Sequence, residues 1–450
     1  MRKHKFFLVY LLFILLISLN IQEVICLANS DSESLKRKEN WIEDLNYFQD
    51  HFFKECKSFP DDSVLVANQI IESIKDSLMF LSDERIQLLI SKAVSVIDDA
   101  HTTVFFRNFN QIPMRLFLFE DGLYVLKTHQ KYESFLGKEV VKICNRTVSE
   151  ILDVTDQYLS GNKSWIKNRG SFFLASPDFY FAAGLSQTND SIELTFRDGD
   201  GFTNIYLKPD SSLFYFNEYN TWKELSPESG YIKSDYTCIH VLDTFSSLPL
   251  YLQNLDKLAH VQKLKIPGSL YIQINKCTRI KGLIKKVKDE CKEHCIENVI
   301  VDLRFNSGGN FLELVKITKT IPRRINGKVY IIIGKPTFSA GICTAARLKY
   351  YGGEKAIVVG EEAGDRLQFW AEGKSFNLPN SQITIRATNG HHDWKDNKFK
   401  LFETFWLNLI FGVAVEDLSP DIEIELLFKD YIQGEDAVLN KIESLMKSNL

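Results

Sequence analysis

The spacing of hydrophobic and polar positions changes twice along the chain. Between residues 38 and 100, apolar residues return every three or four positions. Leu65, Ile70, Ile71, Ile74 and Leu78 form one set, and Ile86, Leu89, Ile90, Ala93, Val94 and Ile97 a second. That period predicts amphipathic helices, with Asp62 or Ser63 and then Asp83 as starting caps. From 110 to 210 the pattern shortens to strands and turns. Leu116–Leu118 and Leu123–Leu126 flank Asp121-Gly122, a hairpin signal, and Lys138–Ile143 reads as a further strand. Ile192–Phe196 alternates before the turn residues Asp198-Gly199-Asp200-Gly201. Residues 211–265 are aromatic and follow neither period. From 269 onward, nearly continuous apolar runs at Leu270–Ile274, Val299–Leu303, Val329–Ile333 and Ala356–Val359 alternate with helical stretches. The helices are predicted at Leu283–Cys295, Phe311–Ile321 and Ala340–Tyr351. Apolar strands alternating with helices mean a sheet covered by helices.

Residues 1–28 read differently. Arg2, Lys3 and Lys5 precede an apolar run, Phe6–Leu19, broken only by Tyr10 and Ser18, and Cys26-Leu27-Ala28 lies before Asn29. This is the layout of a cleaved signal peptide, and the run is short for a membrane span. Glu23-Val24-Ile25 is a poor lipidation box for Cys26. The expected location is secreted or extracytoplasmic, periplasmic in a Gram-negative host, with membrane contact only through an uncleaved signal segment. Of the 8 cysteines, Cys26 falls in this leader, which leaves an odd number at irregular spacing. That is no disulfide scaffold. Asn145, Asn162 and Asn189 open glycosylation sequons that matter only in a eukaryotic host.

With 450 residues and 45% hydrophobic content, the chain is neither a disordered tail nor a polytopic membrane protein. A net charge of −4 without a long basic block excludes a nucleic-acid surface. Cys291 and Cys295 around His294, and the run His391-His392-Asp393-Trp394, are read as ordinary structural residues, so neither a metal centre nor a cofactor is expected.

Two strand-to-helix junctions carry candidate chemistry. The first is Asp302-Leu303-Arg304-Phe305-Asn306-Ser307-Gly308-Gly309, where glycines would let backbone N–H groups face a ligand at a helix start. The second is Lys335-Pro336-Thr337-Phe338-Ser339-Ala340-Gly341. Its Ser339 is either a plain helix cap or a nucleophile whose following N–H completes an oxyanion hole. No Gly-x-Ser-x-Gly elbow occurs, which disfavours an α/β-hydrolase.

Taken in order, Asp99-x-His101-Thr102, the Asp302–Gly309 junction, Thr337-x-Ser339-Ala340-Gly341 and Val359-Gly360-Glu361 resemble the tail-specific (C-terminal-processing) serine peptidases. The resemblance is strongest over 269–364 and reaches His101 and Ser419-Pro420-Asp421-Ile422. It implies an α/β fold: a crotonase/Clp-like spiral of β-β-α units as catalytic domain, an N-terminal helical segment, and a β-rich degenerate PDZ-like module. The corresponding division is signal peptide 1–28, helical segment 29–106, β-rich module 107–210, irregular connection 211–268, catalytic domain 269–430 and C-terminal helix 431–450. By the same resemblance Ser339 is the nucleophile, and Gly308, Gly309 and Ala340 supply oxyanion donors.

Members with a Ser/Lys dyad carry a lysine soon after Val-Gly-Glu. Here Glu362-Ala363-Gly364-Asp365-Arg366 follows and no lysine appears before Lys374, while a guanidinium is no general base. The Ser/His branch, which includes the tricorn and chlamydial proteases, makes His101 the base. Its third member is a downstream carboxylate, with Glu403 ranked slightly ahead of Asp393 and Glu416. Asp99 is assigned to the turn, and Asp365-Arg366 to an ion pair or to a groove with Trp370 and Glu372. The implied function is an exported serine endopeptidase acting on protein or peptide. The alternatives are an inactive, extracytoplasmic binding protein of the same fold and, disfavoured by export, an acyl-CoA enzyme.

Overall fold

The computed structural model describes residues 32–210, 221–227, 238–293 and 295–448. The signal segment lies outside the described residues, as do the side chains of Cys291 and His294. No helix among the described residues is long and apolar enough to cross a membrane.

Six strands form the central sheet, in the spatial order Ile422–Glu423, Ala356–Gly360, Val329–Ile333, Asn298–Asp302, Ser269–Ile274 and Ala259–Lys263. All pair in parallel except the last, which runs antiparallel to Ser269–Ile274. That edge strand comes from the stretch whose pattern follows neither period. Helices Lys281–Glu293, Val315–Arg324 and Ala340–Gly352 make the crossovers between sequential parallel strands. The second begins at Val315, not at Phe311, because residues 311–314 are spent in turns that carry the chain out of the glycine loop.

Burial on both faces explains the unbroken apolar runs. Leu270, Ile272, Val299, Val301, Val329, Ile331 and Val358 pack with the crossover helices. Their alternate neighbours, Tyr271, Ile300, Tyr330, Ile332 and Val359, pack against Val438, Leu439, Ile442 and Met446 of the C-terminal helix Ala437–Ser448. A buried ion network pins that helix. The Arg304 guanidinium donates to both carboxylate oxygens of Asp436 at 3.0 Å. Its Nε lies 2.9 Å from Asp302, which also accepts from Tyr271 at 2.6 Å. Asp436 in turn accepts from the Leu439 N–H inside the helix.

The helix over 32–55 and helices Asp61–Ser77 and Asp83–Val94 form a second core. That core is shared with Leu378, Ile383, Ile385 and Ala387, far downstream. Strand Thr103–Phe105 is the seam, pairing antiparallel with Thr384–Ala387. The region 107–210 holds one sheet over Arg146–Thr147, Val140–Ile143, Ile192–Asp198 and Gly201–Leu207. Its hairpin Met114–Phe119/Gly122–His129 joins Cys238–His240 in another sheet. Capping of Val148–Asp156 by Thr147 and Glu150 starts the helix beside them.

Asp436→Ala is expected to leave Arg304 buried with half its charge compensation, at a cost of about 3 kcal/mol. Chemical denaturation should detect that loss, and an unchanged midpoint would mean that the Arg304 network does not anchor the C-terminal helix.

Candidate active site

Ser339 ends the loop between strand Val329–Ile333 and helix Ala340–Gly352. Its φ of 55° and ψ of −120° lie in a region that costs a non-glycine residue free energy. Neighbouring hydrogen bonds impose it. Phe338 N–H donates to the Asn306 carbonyl at 2.9 Å. The Thr337 hydroxyl donates to the Leu303 carbonyl at 2.8 Å and accepts from Gly334 N–H at 2.9 Å. The serine side chain makes no capping bond to the helix that it precedes. A plain helix cap would use its hydroxyl; this half-buried hydroxyl is left free for chemistry.

Gly308 lies directly against Ser339, at a φ of 102°. A Cβ there would come within 2.8 Å of the serine Cβ, so only glycine fits. Its N–H, however, donates to Oδ1 of Asn306 at 3.0 Å. Of the three expected oxyanion donors, Gly308 is therefore already engaged, whereas the N–H groups of Gly309 and Ala340 have no protein acceptor among the described residues.

His101 arrives from the end of the helical segment and is only 6% exposed. Its ring stacks on Phe338 at 4.1 Å and on Phe369 at 5.1 Å. Phe338 stacks in turn on Trp165 at 4.1 Å, and Phe369 on His392 at 5.1 Å. His101 is thus beside the residue that precedes Ser339, but no hydrogen bond reaches either ring nitrogen. Nδ1 lies 3.3 Å from Oδ2 of Asp365, within ion-pair range and off hydrogen-bond alignment. Burial, the largest effect, holds the imidazole down at about 3, so the ring is neutral at physiological pH. Burial likewise pushes Asp365 up to about 7 and Asp99 up to about 6.

Asp99 does hold the turn, accepting from Thr102 at 2.5 Å and from Thr388 at 3.1 Å, yet one of its oxygens also lies within 4.8 Å of a ligand atom of His101 and of Asp365. Arg366 bonds through its guanidinium to Asp98, not to Asp365. That contact fastens the His101 segment to the loop after strand Ala356–Gly360 and leaves the Asp365 carboxylate for the imidazole.

The structure does not bring Glu403 to this cluster. It is half-buried, lies 3.5 Å from Lys400, and its carbonyl is tied to His391 N–H. The carboxylate that lies 3.3 Å from the His101 ring is that of Asp365, whereas the loop holding Glu403 is stitched to the far edge of the Gly390–Asp393 strand. Asp393 is consumed by the N–H groups of Lys395, Asp396 and Lys398, and Glu416 faces solvent. Trp370 packs edge-on against His391, and Glu372 pairs with His392 at 3.2 Å. Lys374 is exposed beside Glu55. Lys335, four residues before Ser339, is held by Glu120 and Glu361 at 2.8 Å each. Despite burial, these carboxylates raise its affinity for its proton, so it is no base. The signal for Asp365 was its position after Val359-Gly360-Glu361, where the dyad members carry lysine.

No family model matches the chain, and no curated protein matches it. Solved structures do. Mature CPAF complexed with lactacystin aligns with a TM-score of 0.58 at 13% identity, covering 91% of this chain and 98% of that one. Mature CPAF alone gives 0.58 at 13% over 91% and 97%. A serine-to-alanine mutant of CPAF gives 0.54 at 12% over 88% and 95%. The chain has the mixed α/β fold of CPAF.

Proposed function

We propose that the protein is an exported serine endopeptidase that cleaves peptide bonds through an acyl-enzyme. The observation that carries this reading is the Ser339 hydroxyl. It is held at an unfavourable backbone conformation, unused as a cap, against a glycine that no other residue can replace, and next in sequence to the ring on which His101 stacks.

In this mechanism Ser339 Oγ attacks the scissile carbonyl. Nε2 of His101 takes the hydroxyl proton and returns it to the leaving amine. Asp365 accepts from Nδ1–H, which sets the tautomer and stabilises the transient imidazolium. The N–H of Ala340, at the positive end of its helix, and that of Gly309 stabilise the oxyanion, while Gly308 keeps space beside the serine. The neutral resting imidazole suits a base. The phenyl faces of Phe338 and Phe369 cover the ring on both sides. The leader supports export, and the β-rich module supports a peptide-holding role beside the catalytic domain.

A fluorophosphonate probe tests the nucleophile. Wild type should label at Ser339, Ser339→Ala should not, and His101→Ala should label at least about a thousandfold more slowly. Lactacystin, with which CPAF has been solved, serves as a second probe. A folded wild type that reacts with neither supports the alternative of an inactive binding protein on this fold.

Asp365→Asn separates catalysis from stability. The raised carboxyl of Asp365 favours the fold while protonated; that contribution is complete below about pH 4 and is lost as pH rises to about 7. The asparagine variant should therefore gain stability relative to wild type across that window, on the order of 1 kcal/mol or more, while losing activity. Melting curves from pH 4 to 8 would expose the idea as wrong if the difference were flat. In wild type, kcat/KM should rise as pH passes about 7, where Asp365 ionises, and this limb should vanish in the variant.

A further inference from the structure

Four polar atoms in the cluster are buried and have no hydrogen-bond partner: Oδ1 of Asp99, Nδ1 and Nε2 of His101, and Oδ2 of Asp365. Their residues are 6%, 6% and 7% exposed. One ligand atom from each lies within 4.8 Å of the other two. Among the described residues no lysine or arginine forms an ion pair with either carboxylate, since the guanidinium of Arg366 is turned to Asp98. Buried acceptors left unmade are costly, and neither carboxylate is ion-paired with a lysine or arginine.

We propose that Asp99, His101 and Asp365 form a site for a divalent cation of borderline softness, Zn2+, and that occupancy switches the peptidase off. One imidazole nitrogen and two carboxylate oxygens are ligands that zinc accepts at tetrahedral geometry, with a fourth position left for water. Two carboxylates and the ion sum to zero charge, which removes the cost of burying them. The inhibition follows from the tautomer. A metal on Nδ1 leaves the ring proton on Nε2, and a protonated Nε2 cannot accept the proton of Ser339. Without the ion, Asp365 takes Nδ1–H and frees Nε2. Zinc and catalysis thus compete for one ring nitrogen. The inhibitory half rests on the serine-peptidase reading; the cation site does not.

The test uses the purified mature chain, stripped with a chelator and titrated with Zn2+. Calorimetry should give one site, and a hundredfold excess over Kd should raise the melting temperature by about 3 °C. The zinc absorption edge should show a nitrogen/oxygen shell with no sulfur at about 2.3 Å. Asp365→Asn, checked for folding by circular dichroism, should weaken binding at least about tenfold; Asp99→Asn is a second variant if the first misfolds. A sulfur shell, or affinity unchanged in a folded variant, would overturn the site in favour of cysteine ligands such as exposed Cys295. Fluorophosphonate labelling of Ser339 should drop at least about tenfold with zinc and recover with chelator. Undiminished labelling while the cluster holds zinc sinks the switch. A wild type that never labels refutes the peptidase reading, and the absorption and binding data still decide the cation site.

Discussion

Four distant segments meet in one column of near-parallel rings, and the candidate site depends on it. Trp165 comes from the β-rich region, Phe338 from the nucleophile loop, His101 from the end of the helical segment and Phe369 from the strand after the sheet. The stack buries apolar area between regions that otherwise have separate cores, and it fixes the plane of the imidazole. It also desolvates that imidazole and the two carboxylates beside it. The electrostatics of the site are therefore a by-product of the packing that joins the regions: burial, more than any charge, moves all three groups toward neutrality.

The same economy governs the motif around the glycine loop. Asp302 and Arg304, which look catalytic beside Gly308 and Gly309, are used to anchor the C-terminal helix. Asn306 does a different job. Its amide donates to Ile274 and its Oδ1 accepts from Gly308, so it shapes the turn that Ser339 leans against. Gly341 passes so close to the Asn306 carbonyl that a Cβ would sit at 2.7 Å. Much of the motif thus builds the bend that holds one hydroxyl in place.

Strain at Ser339 and unpaired polar atoms at His101 and Asp365 are features that a fold optimised only for stability would lose. Their concentration within one cluster, on loops where the helical segment, the nucleophile loop and the loop after strand Ala356–Gly360 meet, supports a site that the surrounding packing maintains at a cost. Lys335 illustrates the contrast: it lies close in sequence, yet two carboxylates hold it charged, so it is no base.

The sequence by itself determined the central sheet, because apolar runs of strand length can be buried on both faces only in that way, and it determined the junctions that bend toward a ligand. The motifs that carry the resemblance also pointed to Ser339 and His101 as candidates, Ser339 at a strand-to-helix junction and His101 at a helix end. Helix starts were legible to a few residues, and Val315 escaped because the preceding turns are apolar enough to pass for helix. Only the tertiary structure decided which carboxylate stands beside His101. Along the chain Glu403, Asp393 and Glu416 are the candidates and Asp365 reads as part of an ion pair or groove, but the Arg366–Asp98 contact and the Thr103–Phe105 seam draw Asp365 inward, while Glu403 is held out by its loop. Proximity between residues 99 and 365 depends on how separate cores dock, and no local pattern of hydrophobic and polar residues encodes that.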